Sequence, residues 1–511
     1  MPELMHRGLE AAADSDGDSP ALLAGDEQWT YHQLDRASSA LARHLRPIIA
    51  PRDRVVVMTA NRPEFVIAVT AISKLGAAAV LVSPAWKERE VDHAVALTGA
   101  TFAVGDGGSA GLLRERLAVD RVLDLDDRVG LDAVLAGDAT RPDFASIEPS
   151  DEAVLVFSSG TTGLPKAVRH SHESIGHGAA HWVAALGLGP DDRFQVATPP
   201  SHILGLLNLL AAQVAGATVR LHRRFDLDEV LRRIQDERMT LEMAVAPIAL
   251  AMADHPSIED YDLSSLRYIM WGATPVTPSV AERVTERTGV RWLAAYGASE
   301  VPVIAANPVS DPSAWRLDSA GLPPAGITLR VVDLDSGAVL PAGEVGEIQI
   351  MSPSTMLGYL PAADSAAAFS DGWYRTGDVG WLEAEGWVHL TDRAKEMIKV
   401  KGFQVAPAEI EEVLHGHPGV RDCAVFGVPD ALAGELPVAA VALDPEHPVS
   451  LDELTALVAS ELATYKALAA IVEVDEIPRL PSGKVLRRTL AEAWTAGPAG
   501  GDPIGAGRST P

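Results

Sequence analysis

The sequence is poor in cysteine, in basic residues relative to acidic ones, and in long apolar runs. A single cysteine, Cys423, among 511 residues excludes an intrachain disulfide and any zinc site built on cysteines. Lys and Arg number 42 against 70 Asp and Glu, so the chain carries a net charge of -28. That balance argues against a nucleic-acid binder or a protein held on an anionic membrane, since both need a broad basic surface. It is compatible with a local basic pocket for a small polyanion. No apolar run reaches the ~18 residues of a membrane span. The opening MPELMHRGLEAAADSDGDSP has no basic stretch followed by an apolar one. No transmembrane helix is expected, and a cytoplasmic location is.

What is present is a long globular chain, 47% hydrophobic and 22% charged, well above single-domain size. From 54 to 300 one pattern recurs: a short apolar run, an amphipathic stretch, another apolar run. Strands are predicted at 54–58, 77–82, 101–104, 154–157, 194–197, 217–221, 241–246, 268–270 and 292–295. Helices are predicted between them, for example at 63–75, 88–97, 227–238 and 278–288. Such alternation implies mostly parallel sheets covered by helices, with ligands at the carboxyl ends of strands. After about 311 the text turns to Gly, Pro and short alternating runs (327–333, 346–351, 387–390), an antiparallel β subdomain. From 392 helices and strands mix again (407–415, 423–427, 438–443, 451–461), which suits a small α+β domain. The fold class is therefore α/β. A large N-terminal domain spans 1–391, with its β subdomain at about 312–391. A small C-terminal domain spans 392–496, and a Gly/Pro-rich tail at 497–511 is expected to be disordered. Residues 137–150 read as a linker.

The strongest local signal is VLVFSSGTTGLPKAV at 154–168. An apolar strand runs into Ser158, Ser159, Gly160, Thr161, Thr162, Gly163 and, after a proline, Lys166. Glycines allow close approach of backbone to ligand. Successive N–H groups and four hydroxyls offer donors to phosphate oxygens, and the lysine adds positive charge. It is not a Walker A loop, in which Gly and Lys are adjacent. A weaker segment, GDGGSAG at 105–111, matches a hydrolase elbow at Ser109 and a degenerate dinucleotide fingerprint, but short Gly patterns recur by chance and an ordinary β–α turn is the preferred reading. His170, His172, His177 and His181 cluster, the last two on one helix face, but no carboxylate or cysteine completes a metal-ligand set.

Four further motifs follow in order: YGASE at 296–300, YRTGD at 374–378, DRAKEMIKVKGFQVAPAEIE at 392–411 and LPSGKVLRR at 480–488. With SSGTTGLPK they resemble the adenylate-forming superfamily of acyl-CoA synthetases, adenylation domains and luciferases. The resemblance covers about residues 20–495 and is nearest the 4-coumarate/aryl-CoA ligase branch. It implies a mobile C-terminal domain and an ATP-, Mg²⁺- and CoA-dependent ligase. It places Ser158 to Gly163, Lys166, Tyr296 and Ser299 at ATP or AMP, and Glu300 at the metal. Asp378 and Arg393 would meet the ribose, a carboxylate being suited to accept from hydroxyls. Lys484 would meet the carboxylate and α-phosphate during adenylation, with Lys399 and Gln404 as further phosphate- and carboxylate-contacting residues. Asp392 would be the hinge, and Lys401, Gly402 and Phe403 would border the CoA tunnel.

The same resemblance makes His202 a gate beside an acyl pocket lined by Ile203, Leu204, Asn208, Met270, Ala273, Ala295 and Gly297. The chain departs from the branch in having Leu204 where many members have Tyr, Trp271 where a small residue is usual, and Ala295 for a common Gly. The pocket is therefore expected to be narrowed, with Trp271 as one of its walls. The implied activity is activation of an aryl or aryl-propenoic acid as its adenylate and transfer to CoA, by a monomer or homodimer without nucleic-acid or membrane partners. Alternatives are a carrier-protein thiol as acceptor, nitrite-dependent diazotisation of an arylamine, and, from another class, hydrolysis at Ser109.

Overall fold

A computed structural model describes residues 4–143, 147–158, 165–274, 276–393, 396–400, 403–430, 433–479, 483–496 and 508–509. Ser159 to Gly163, Lys401 and Gly402 lie outside the described residues, as do the side chains of Asp392, Arg393, Phe403 and Gln404.

The chain alternates as its pattern predicts, and most N-terminal elements begin and end within two residues of expectation. Among the described residues, the largest sheet has seven strands. Its parallel part runs Glu152–Ser158, Ala78–Leu81, Arg54–Met58, Phe102–Gly105, Val122–Asp124. Both faces are covered, so these strands are continuous apolar runs rather than alternating ones. A four-stranded sheet holds Leu241–Ala244, Tyr268–Trp271 and Trp292–Tyr296 in parallel, with Ala305–Ala306 returning antiparallel. The expected β subdomain is a five-stranded antiparallel sheet built around Gly346–Met351 and Trp373–Leu382.

Sequence reasoning missed the helices Arg7–Asp16 and Tyr31–Leu45 and the strand Lys166–Ser171. That strand pairs antiparallel with Glu152–Ser158, with Ser158 opposite Lys166. The Gly-rich segment thus links two hydrogen-bonded strands instead of leading from a strand into a helix. The segment at 105–111 is the β–α turn it resembled: Phe102–Gly105 ends and the helix Gly107–Arg114 begins. Ser109 is buried in that helix, and no histidine bonds its hydroxyl among the described residues.

In the C-terminal domain the strand Val420–Asp430 alternates its faces. Cys423 and Val425 pack with Ile410, Leu414 and Leu454; Ala424 and Phe426 pack with Leu490 on the other side. Helices therefore cover both faces of this sheet. The large N-terminal core ends at Val388 and the first C-terminal core begins at Ile398. Of the tail, the described residues Arg508–Ser509 pair with Ile471 and Val472 at a sheet edge whose backbone groups invite such pairing.

Candidate active site

Strand ends and the turns after them bring the motif residues together. Tyr296 closes the strand Trp292–Tyr296, and its hydroxyl donates to Asp378 Oδ2. Asp378 lies in Trp373–Leu382 directly across the ladder from Arg393, so backbone pairing alone sets the two expected ribose residues side by side. Between Tyr296 and Ser299, Gly297 is compulsory: a Cβ there would sit 2.2 Å from the Pro302 carbonyl oxygen.

The Ser299–Glu300 turn is held from both sides. His170 Nε2 donates to the Ser299 carbonyl at 2.8 Å, and its Nδ1 takes the Ser174 hydroxyl at 3.0 Å. Burial pushes the His170 pKa down to about 4, so near pH 7 the ring is neutral and its two nitrogens have fixed, opposite roles. Glu300 is 9% exposed, and its Oε1 accepts from the Tyr359 hydroxyl at 2.8 Å. No lysine or arginine ion-pairs with it among the described residues. A buried carboxylate without a cationic side chain is costly unless a cation joins it. Glu300 therefore fits the hard divalent ion that ATP chemistry needs, which prefers oxygen ligands.

Lys166 Nζ is 3.0 Å from Asp364 Oδ2 and 5.4 Å from the centre of the Tyr359 ring. Tyr359 thus stands between the loop lysine and the Glu300 carboxylate. Burial, and then the Glu300 charge, raises the neighbouring Tyr374 hydroxyl well above its ordinary pKa, so it stays protonated. Sequence reasoning missed His170's role and missed Tyr359, Asp364 and Tyr374. Strand Gly358–Leu360, which carries Tyr359, pairs with Lys166–Ser171 across almost two hundred residues, and no local pattern announces it.

On the acid side, His202 caps the helix Ile203–Ala215, its Nδ1 accepting from Leu204 N at 3.3 Å. Burial lowers its pKa, leaving a neutral ring. Leu204 is half-buried, Asn208 fully buried, and Met270 faces the main core. Ala273 takes a left-handed backbone, φ 68°, in the turn after Trp271. Trp271 itself is not a free wall. Adjacent residues of a strand point to opposite faces, and its ring lies in the second core, 1% exposed and 5.2 Å from Trp292. Its indole N–H goes to Thr274 Oγ1. Leu204 packs against that same core, so Trp271 stands behind the expected pocket residue rather than beside it.

The C-terminal domain contributes a loop. Gly483 has φ +85°, a left-handed conformation that suits glycine, and a Cβ there would lie 2.9 Å from Pro247 Cδ. Lys484 is thereby delivered beside the start of helix Ala246–Ala253 and the Thr274 turn. Arg479 donates to the Gly483 carbonyl at 2.9 Å while paired with Asp422, which pins the loop. Lys484 Nζ lies 3.4 Å from Glu396, which Arg487 also holds. Lys399 is elsewhere: its side chain is exposed on the hairpin strand Ile398–Val400, opposite Gln404. One domain therefore presents its two expected lysines on separate elements. The histidine pair at 177 and 181 forms no metal cluster among the described residues.

The profile described as AMP-binding enzyme matches residues 9–360, and that of the AMP-binding enzyme C-terminal domain matches 409–484. The chain belongs to the AMP-binding enzyme family. Like other AMP-binding enzymes of its kind it is an AMP-forming ligase. It is 32% identical over 500 residues to 4-coumarate–CoA ligase 1 of Solanum tuberosum, covering 94% of this chain and 91% of that one. It is 34% identical over 474 residues to a feruloyl-CoA synthase of Amycolatopsis sp, covering 91% and 94%. Among solved structures, the anthranilate CoA ligase AuaEII in complex with anthranoyl-AMP superposes with TM-score 0.90 at 26% identity, over 97% of this chain and 99% of that one. The amide bond synthetase McbA from Marinactinospora thermotolerans superposes with TM-score 0.86 at 31% identity, over 96% and 99%. No helix of this AMP-binding enzyme is long and apolar enough to cross a membrane, among the described residues.

Proposed function

We propose that this enzyme activates an aryl or aryl-propenoic acid with ATP and passes the acyl group to free CoA. The observation that carries the reading is that Tyr296 bonds Asp378 and Tyr359 stands between Glu300 and Lys166, while Gly483 of the C-terminal domain seats against Pro247. A carboxylate oxygen attacks the α-phosphorus, and the bond to pyrophosphate breaks. The CoA thiol then attacks the acyl carbonyl, loses its proton, and AMP leaves. Asp378 and Arg393 orient the ribose, and Lys484 meets the charge that grows at the α-phosphate. Held at Glu300, Mg²⁺ would supply charge neutralisation for the departing pyrophosphate. The relatives named for 4-coumarate and feruloyl substrates support the acid class. The test is pyrophosphate release with cinnamate-type acids, followed by thioester on adding CoA. Pyrophosphate without thioester, and amide on adding an amine, would favour a second reading suggested by the likeness to an amide bond synthetase.

Two expectations arise here. Glu300→Gln keeps the acceptor for Tyr359 but removes the charge. The Mg²⁺ concentration for half-maximal pyrophosphate release should rise at least about tenfold, with an unchanged melting temperature. An unaltered Mg²⁺ dependence would remove Glu300 from the metal. The second concerns size. Ala295 and the Trp271-backed Leu204 should shut out long fatty acids, since overfilling a site whose walls cannot yield costs about 1–3 kcal/mol. Cinnamate should therefore exceed palmitate in kcat/KM; equal turnover would refute a narrowed pocket.

A further inference from the structure

The strand Lys166–Ser171 is paired on both sides. Ser158 lies opposite Lys166 on one, and on the other Gly358–Leu360 runs antiparallel with Leu360 opposite Ala167. The backbone of Lys166 is thus fixed, and only its flexible four-carbon stem is left to choose a partner. Directly after Leu360 the chain folds into a short 3-10 turn, Ala362–Asp364. Ser365, the next residue, ties that turn back to the strand, because its Oγ accepts from the Tyr359 N–H at 2.8 Å. The Asp364 carboxylate is thereby delivered to Lys166, with Oδ2 3.0 Å from Nζ. The Tyr359 ring centre stands 5.4 Å from the same Nζ, and the Tyr359 hydroxyl goes to Glu300. The side chains of Lys166 and Asp364 are 30% and 33% exposed, so an anion arriving from solvent can reach the pair.

An ammonium held by a fixed carboxylate must give up part of that contact to serve a phosphate. We propose that Asp364 is a positioning residue that competes with phosphate oxygens for Lys166, so that the enzyme holds polyphosphate less tightly than its Gly-rich segment alone would. Asp364 acts through the lysine and does not touch the nucleotide. It takes Lys166 back when pyrophosphate departs. Attraction grows with the charge that the lysine meets. ATP and pyrophosphate therefore draw it off Asp364, whereas the single phosphate of AMP leaves it largely in place. The inference rests on the reading of Lys166 as a phosphate-contacting residue, and not on the acid class.

The experiment titrates ATP, pyrophosphate and AMP separately into the enzyme by calorimetry, at one fixed Mg²⁺ concentration and with no acid present. Asp364→Asn keeps the shape and removes the charge. It should lower the Kd for ATP and for pyrophosphate by about threefold, the scale of one part-exposed ion pair, and leave the Kd for AMP unchanged. Asp364→Glu restores a carboxylate and should return both values to the original. In a Lys166→Met background the Asp364→Asn change should have no effect, since a double-mutant cycle isolates the pair. Melting temperatures are measured for every variant, and Asp364→Ser serves if Asp364→Asn does not fold. The proposal is overturned if the folded variant binds ATP and pyrophosphate no more tightly than the unaltered enzyme. It is overturned too if AMP tightens as much as ATP, or if the gain persists without Lys166. Lys166→Met binding ATP as tightly as the unaltered enzyme would instead overturn the reading of Lys166 as a phosphate contact, and this inference with it.

Discussion

Lys484→Ala should lower the rate of adenylate formation by about 10²–10³-fold, the usual cost of losing one preorganised contact to developing charge. The loop that carries the lysine is fixed by Arg479 and by the close seat of Gly483 on Pro247, not by the lysine itself. The variant should therefore fold and keep its melting temperature. It should still convert a chemically supplied acyl-adenylate to thioester, because the second step involves no attack on phosphorus. Single-turnover assays of each half-reaction separate these outcomes. A folded variant that adenylates at the original rate would show that another group meets the α-phosphate.

Asp392→Pro is expected to do the reverse. Asp392 pairs with Val379 at the end of the ladder that joins the β subdomain to the C-terminal domain. Proline fixes φ and removes the N–H, so a hinge at this residue could not turn freely. Pyrophosphate release in a single turnover should persist. Thioester formation should fall by about a hundredfold, the scale of loss when reacting groups are misplaced by an ångström. If both half-reactions fall together with the melting temperature, the residue holds the ladder and is not a pivot.

The strand and helix succession was legible because buried parallel strands and amphipathic helices write different periods into the chain. The proposed membership of the site comes from motifs in the sequence. The contacts that organise those residues were not legible. Tyr359 meets Glu300 and His170 meets Ser299 across 59 and 129 positions, distances at which no spacing rule operates. Lys166–Ser171 escaped notice because its sequence, KAVRHS, mixes charge with apolar residues, and its role as a return strand depends on pairing with Glu152–Ser158. Trp271 was misplaced for a simpler reason. A one-residue step along a strand moves a side chain to the other face, and the motif's position does not reveal which face the pocket uses.

Gly297 has a consequence for how such an enzyme can diversify. No side chain fits there, because the Pro302 carbonyl already occupies the space. Pro302 in turn abuts the helix that bears Gly178, so it cannot retreat without moving that helix. One wall of the proposed acid site is therefore rigid to mutation. Leu204 and Ala295 are only partly buried and can change size without rebuilding the core. Evolutionary latitude in this catalyst is thus unevenly distributed: on the proposed reading, a new acid would be accommodated by resizing one side of the site against an anvil that stays the same.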